Sequence, residues 1–179
     1  TTAKITIIEN QKAIKAREFE VDRKARFKKG SGLPLRIPVI EMVEIGAGGG
    51  SIARVNKLEQ IITGPDSAGS NPGPACYSNG GINPTITDAD LVIGKIDADK
   101  FAGGKINLSK EFAKNAITKN ISDKLNIKTE TAALAISEIV DETMSNAARV
   151  HTVEQGHETS NRTLIAVSYT HLTLPTTYH

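Results

Sequence analysis

Nine of the 21 residues from Gly64 to Pro84 are glycine or proline. Such a run cannot be a helix or a central strand: proline has no N–H to give to a ladder, and glycine loses the most backbone freedom on ordering. A loop longer than about 15 residues inside a compact domain is usually functional or disordered. This one has few charges and many small residues, which points to an ordered, tightly turned loop. The rest of the chain has to be built on either side of it.

The two sides read differently. Before the loop, Ile5–Ile8 and Glu18–Asp22 read as short strands, the second with period-two alternation, and Val39–Ile45 reads as an apolar-rich strand. Ser51–Val55 and Gln60–Thr63 read as a strand pair about the turn Asn56–Glu59. After the loop the period changes. Ser109 is placed to cap a helix on which Phe112, Ala116, Ile117, Ile121 and Leu125 recur at helical spacing. A second helix is expected from Thr129 to about Val150, with Ala133, Ile136, Val140, Met144 and Ala147 on its apolar face, widened by Leu134, Ile139 and Val150. Strands first and a helical pair after give an α/β or α+β layout.

Composition narrows the function classes. The 179 residues amount to one ordinary domain, and 39% hydrophobic with 23% charged excludes wholesale disorder. No apolar run approaches the roughly 18 residues of a membrane span, and no charged-then-apolar leader pattern opens the chain. A cytoplasmic protein without a membrane partner is therefore expected. A single cysteine, Cys76, leaves no internal disulfide framework and no multi-cysteine zinc site. The lack of tryptophan and only 4% aromatics argue against a stacking platform for nucleic acid.

The first 30 residues hold nine Lys and Arg against four Asp and Glu. Their densest stretch, Arg23-Lys24-Ala25-Arg26-Phe27-Lys28-Lys29, reads as a solvated turn or edge whose lysines discourage strand addition. Attraction of phosphate or nucleic acid is the alternative. The chain starts at Thr1 instead of Met, so it is expected to be processed or to be a piece of something longer.

Three local features could carry chemistry. In Gly46-Ala47-Gly48-Gly49-Gly50-Ser51, consecutive glycines let backbone N–H groups approach an anion, and Ser51 adds a hydroxyl. No lysine precedes Ser51, so this is not a P-loop, and a tight turn at close packing remains the other reading. Asp88 and Asp90 directly follow the Gly/Pro loop. On an extended segment they would share a face and could hold a divalent ion; at a helix start they would be N-terminal acids, the reading that a missing third ligand favours. Cys76 could be a nucleophile, but no base lies near it in sequence, and a lone cysteine is more often a small buried apolar residue. His151 falls at the end of the expected long helix.

Taken in order, these strings resemble the hydantoinase A / 5-oxoprolinase family, which includes subunits of acetone-type carboxylases. The resemblance rests on Val43-Glu44-Ile45-Gly46-Ala47-Gly48-Gly49-Gly50-Ser51-Ile52-Ala53, Gly64-Pro65-Asp66-Ser67-Ala68-Gly69, Pro72-Gly73-Pro74-Ala75-Cys76-Tyr77, Gly80-Gly81, Pro84-Thr85 and Thr87-Asp88-Ala89-Asp90-Leu91. Phe101-Ala102-Gly103-Gly104 and Asn146-Ala147-Ala148-Arg149-Val150 fit the same pattern. It implies part of an actin-like fold, shared by acetate and sugar kinases, heat-shock chaperones and actin. The implied activity is ATP-dependent opening of a cyclic amide such as a hydantoin or 5-oxoproline. Phosphorylation of the amide oxygen would make a poor electrophile a good one, with Mg2+ neutralising the phosphates. A carboxylase subunit that uses ATP to activate a ketone and bicarbonate is the alternative, and a non-catalytic assembly module is a third. A large hydantoinase B-type subunit is the implied partner, and a further divalent metal in the parent enzyme is possible.

Carried over by residue, Thr1 and Thr2 resemble the end of a glycine-threonine phosphate loop, and Gly46, Gly48, Gly49, Gly50 and Ser51 the family's glycine-rich loop. These are the candidate nucleotide-binding residues. Asp88 and Cys76 are the candidates for catalysis, and Asp88 and Asp90 for a metal. The resemblance implies a partial domain over residues 1–165, a fragment inactive alone. After Thr163-Leu164-Ile165-Ala166 the family pattern would continue through a Phe-Gly-Gly turn. Residues 166–179 instead contain no Asp, Glu, Lys or Arg and resemble no part of the family, so they are expected to be a non-native tail.

Overall fold

A computed structural model describes residues 2–22, 24 and 30–166. The basic stretch apart from Lys24, the candidate Thr1 and the tail from residue 167 onward lie outside the described residues.

The first part of the chain is a ribbon of short antiparallel strands. β1 (Ala3–Thr6), β2 (Ile8–Glu9), β3 (Lys12–Ala13), β4 (Lys15–Ala16) and β5 (Phe19–Val21) lead out; β6 (Leu33–Leu35), β7 (Val39–Ile40) and β8 (Met42–Ile45) lead back. The pairs are β2–β3, β5–β6, β4–β7 and β1–β8. Asn10 and Gln11, both at positive φ, make the β2–β3 turn, which suits the twist of a two-residue hairpin. The expected strand over Val39–Ile45 is divided at Glu41, whose N–H donates to the Ile14 carbonyl and whose carbonyl accepts from Thr6 Oγ1.

β9 (Ser51–Val55) and β10 (Ile61–Ser67) form the expected hairpin, closed by Asn56, whose side-chain oxygen accepts from the N–H groups of Leu58 and Gln60. β10 runs four residues beyond the expected end at Thr63. It does so because the register shifts between Thr63 and Ser67, so Gly64 and Pro65 sit in an irregularity where no regular ladder is required. Among the described residues every ladder is antiparallel and the strands precede the helices.

Among the described residues four α-helices follow, one more than a simple pair with its continuation: α1 (Ile86–Ile93), α2 (Lys110–Ile117), α3 (Asp123–Leu125) and α4 (Thr129–Glu154). A wider π turn, Thr118–Ser122, joins α2 to α3, so the stretch from Lys110 to Leu125 is helical throughout. Ser109 caps α2 by accepting from the Phe112 N–H. α1 packs against α4 and α2, and α4 also reaches β8, β10 and β1.

The core forms where these helices meet β8 and β9. Ile45, Ala53, Cys76, Ala89, Leu91, Ile117, Ile121 and Ile136 are buried together, as are Ala133, Val140, Met144 and Ala147 of the expected α4 face. Two expected face residues differ: Phe112 is 52% exposed and Leu134 is 47% exposed. Both flank stripes whose centres carry small residues, Ala113 and Ala116 on α2 and Ala132 and Ala133 on α4. Close helix approach through those alanines leaves the larger neighbours at the edge of the contact. The ribbon contributes little to the core, and Phe19, Val21, Leu33 and Leu35, which pair across β5–β6, are all exposed. No helix among the described residues is long and apolar enough to cross a membrane.

Candidate functional site

The glycine-rich turn emerges from β8 and enters β9. β1 pairs with β8 in a register that sets Ala3 opposite Ile45. Thr2, one residue before Ala3, and Gly46, one residue after Ile45, therefore leave the ladder at the same end. The sheet brings these two candidates together although 43 residues separate them in the sequence.

The turn is tied down on three sides. Within it, the Ser51 N–H donates to the Gly48 carbonyl at 2.8 Å. Toward β10, the Ala68 N–H donates to the Gly50 carbonyl at 2.8 Å. Toward α1, the Thr87 N–H donates to the Gly49 carbonyl, also at 2.8 Å. Glycine is required here for room. A methyl group added at Gly49 would lie 2.6 Å from Thr87 Oγ1, and one at Gly64 would lie 2.7 Å from the Gly46 carbonyl oxygen. Gly64 also has φ of +63°, whereas Gly49 lies outside the left-handed region. Ser51 is buried, and its hydroxyl has no hydrogen-bond partner among the described residues. Beside the turn is a cavity of about 230 Å³ lined by Ile45, Gly46, Ala47, Thr63, Pro65 and Thr143.

The first turn of α1 explains where the Gly/Pro loop goes. Thr85 is the N-cap of a capping box: its hydroxyl accepts from the Asp88 N–H, and Asp88 accepts from the Thr85 N–H in return. The Asp88 carboxylate does more than cap. It accepts from Thr85 N and Thr85 Oγ1, each at 2.8 Å, from Cys76 N at 2.7 Å and from Ala75 N at 3.2 Å. Both oxygens are engaged and the residue is fully buried. A single carboxylate thus clamps the Pro74–Tyr77 turn onto the start of α1. Thr85 also bridges to Ile52 of β9, so the same residue locks the helix start to the strand leaving the glycine turn.

Cys76 lies in this clamp, fully buried. Burial first, and then the adjacent Asp88 carboxylate, push its thiol far above the ordinary range, which disfavours the thiolate a nucleophile needs. Asp90 sits apart from Asp88. It accepts from Ser137 Oγ of α4 at 2.8 Å; Lys95 Nζ donates to Ser137 Oγ at 2.7 Å and pairs with Asp141 at 3.0 Å. Burial holds the Asp90 carboxyl above its ordinary value, against the lowering influence of Ser137 and Lys95. The two aspartates therefore serve different contacts, and no group of three or more His, Cys, Asp or Glu side chains suited to a metal occurs among the described residues. The sequence placed Thr85 and Thr87 within the family strings but gave neither a role, and it did not point to the Lys95–Ser137–Asp141 group. Thr85-x-x-Asp88 carried a visible capping signal; the other contacts join residues too distant in sequence to leave one.

The chain is similar to several known proteins. The caprolactamase subunit alpha of Pseudomonas jessenii is 40% identical over 129 residues, which is 72% of this chain and 18% of that protein. The crystal structure of the ATP-dependent caprolactamase from that organism matches with a TM-score of 0.64 at 37% identity, over 74% of this chain and 19% of the other. The acetophenone carboxylase gamma subunit of Aromatoleum aromaticum is 41% identical over 133 residues, 74% of this chain and 18% of its own length. The nucleotide-free structure of acetone carboxylase matches with a TM-score of 0.76 at 27% identity, over 88% of this chain and 21% of the other. The chain thus spans less than a quarter of the length of each of these relatives. The hydantoinase/oxoprolinase family model matches residues 1–168, and with a mixed strand-and-helix structure like those of caprolactamase and acetone carboxylase, the chain belongs to the hydantoinase/oxoprolinase family.

Proposed function

We propose that this chain is part of an ATP-dependent cyclic amide hydrolase with an actin-like fold, and that Thr2 and the Gly46–Ser51 turn contribute to holding the phosphates. The observation that carries the reading is the β1–β8 register, which places Thr2 and Gly46 at one end of one ladder. Backbone N–H groups of a glycine turn suit phosphate oxygens, and the missing side chains permit close approach. The 230 Å³ cavity beside the turn would admit a small ring. ATP, when bound, supplies the phosphoryl group that activates an amide oxygen. This chain's part is to hold and orient. The described residues do not assemble a protein-built Mg2+ site, because Asp88 and Asp90 face different partners, so no step is assigned to a metal here.

The ATP-dependent caprolactamase supports lactam chemistry, since caprolactam is a cyclic amide. The carboxylase relatives support the second reading, ATP-driven activation of a ketone for carboxylation. Relatives designated as alpha and gamma subunits support a separate partner subunit. We take the working protein to be cytoplasmic, without nucleic-acid or membrane partners. ADP release by the enzyme containing these residues separates the readings. Stimulation by hydantoin, 5-oxoproline or caprolactam supports the amide hydrolase. Stimulation by acetone only when bicarbonate is present supports the carboxylase, and no turnover with either set counts against both.

A further inference from the structure

The glycine turn owes its shape to a residue outside it. The Gly49 carbonyl accepts from the Thr87 N–H, and the Thr87 side chain fills the space that a Cβ at position 49 would need. Thr87 is 5% exposed and lies in the first turn of α1, where a β-branched side chain has few rotamers to choose from. It cannot readily yield to a larger neighbour. Across a trans peptide the N–H of one residue points opposite to the C=O of the residue before it. With the Gly49 carbonyl drawn toward α1, the Gly50 N–H is turned away from α1. α1 itself is held by the Asp88 clamp and by the Thr85–Ile52 bridge. The pose of the turn is thereby set by the helix start.

We propose that Thr87 is a positioning residue for the phosphate-holding turn: it acts through a size-matched contact with Gly49 that fixes the Gly49–Gly50 peptide with its N–H directed outward. This rests on the assignment of the turn to phosphate.

The test is a double-mutant cycle of Gly49→Ala and Thr87→Ala, each alone and combined. Its readouts are the Ala68 amide resonance in the ¹⁵N-labelled 179-residue chain, which reports on the Gly50 carbonyl without adjoining either substitution, and calorimetric titration of Mg-ATP into the enzyme containing these residues. Gly49→Ala should move the Ala68 amide and weaken Mg-ATP binding about tenfold or more. Combining it with Thr87→Ala removes the obstructing atoms and should return the amide position to that of Thr87→Ala alone and bring affinity within about threefold of it. Gly49→Ala with Thr87→Val, which keeps the side-chain volume, should not recover. A merely structural role would change the unfolding midpoint without moving the amide or the affinity. If Gly49→Ala does not fold, recovery of folding by Thr87→Ala but not by Thr87→Val carries the same conclusion. A double variant as impaired as Gly49→Ala, or an unmoved Ala68 amide in Gly49→Ala, overturns the proposal. Absence of Mg-ATP binding by the unaltered enzyme would count against the phosphate assignment, while the amide resonance would still decide the Thr87–Gly49 contact.

Discussion

Replacement of Asp88 should show how the longest irregular segment of this protein is held in place. Its carboxylate accepts four hydrogen bonds, three from the backbone N–H groups of Ala75, Cys76 and Thr85 and one from the Thr85 hydroxyl. All of these residues are buried. Asp88→Ala would orphan the three N–H donors, each at about 1–3 kcal/mol, while the hydroxyl can rotate to another acceptor. Water entry and relaxation would recover part of that, leaving an expected loss of about 4 kcal/mol, a large share of a typical domain's 5–15 kcal/mol. Asp88→Asn is the sharper comparison. Its carbonyl oxygen can keep the three donors now on Oδ2, but its amide nitrogen must then face the Cys76 N–H, donor against donor. About 2 kcal/mol is expected, one lost charge-assisted bond and one unsatisfied N–H. Urea unfolding followed by far-UV circular dichroism measures both. An Asp88→Asn loss below about 0.5 kcal/mol, or a loss as large as that of Asp88→Ala, would refute the clamp.

Cys76 should resist native-state alkylation at pH 8, since burial and Asp88 keep its thiol protonated; labelling should follow the unfolding rate, and rapid modification of the folded chain would contradict this placement. Asp90 should make stability depend on pH. Its folded carboxyl titrates above the ordinary value of 3.8, so its contribution is fully present below that value and is lost as pH rises through the folded one. Asp90→Asn keeps an acceptor for Ser137 and should flatten that fall, leaving the variant at least as stable as its parent at pH 7; a loss above about 1 kcal/mol would instead mean that attraction to Lys95 outweighs desolvation. Ser109→Ala should cost about 1 kcal/mol by removing the acceptor for the Phe112 N–H at the start of α2, and an unchanged urea midpoint would show that cap to be dispensable.

How much was legible depended on the distance over which each feature is determined. The β9–β10 hairpin, the Ser109 cap and the Ala133–Ala147 face of α4 follow from residues within a few positions of one another, through turn chemistry, capping and the helical period. The helix at Ile86–Ile93 was only half visible, because Asp88 and Asp90 fitted either an extended segment or a helix start until Thr85 was seen closing the capping box. Phe112 and Leu134 were misplaced for a related reason. Period assigns a stripe, but how closely two helices approach through their alanines decides which edge of it is covered.

The glycine cluster and the Gly/Pro loop were unmistakable in the sequence, and the family resemblance rested on their order. Local chemistry alone determined that these segments turn tightly, because glycine admits backbone conformations closed to other residues and proline fixes φ and removes a donor wherever it occurs. What each turn is for was decided only by tertiary contacts. Gly49 is glycine because Thr87 stands against it, and Asp88 is buried because the N–H groups of Ala75 and Cys76 converge on it. Thr2 and Gly46 leave the ladder at the same end because β1 pairs with β8 in this register. Such contacts join residues from about 12 to more than 40 positions apart, and no periodicity or local propensity encodes a meeting over that span.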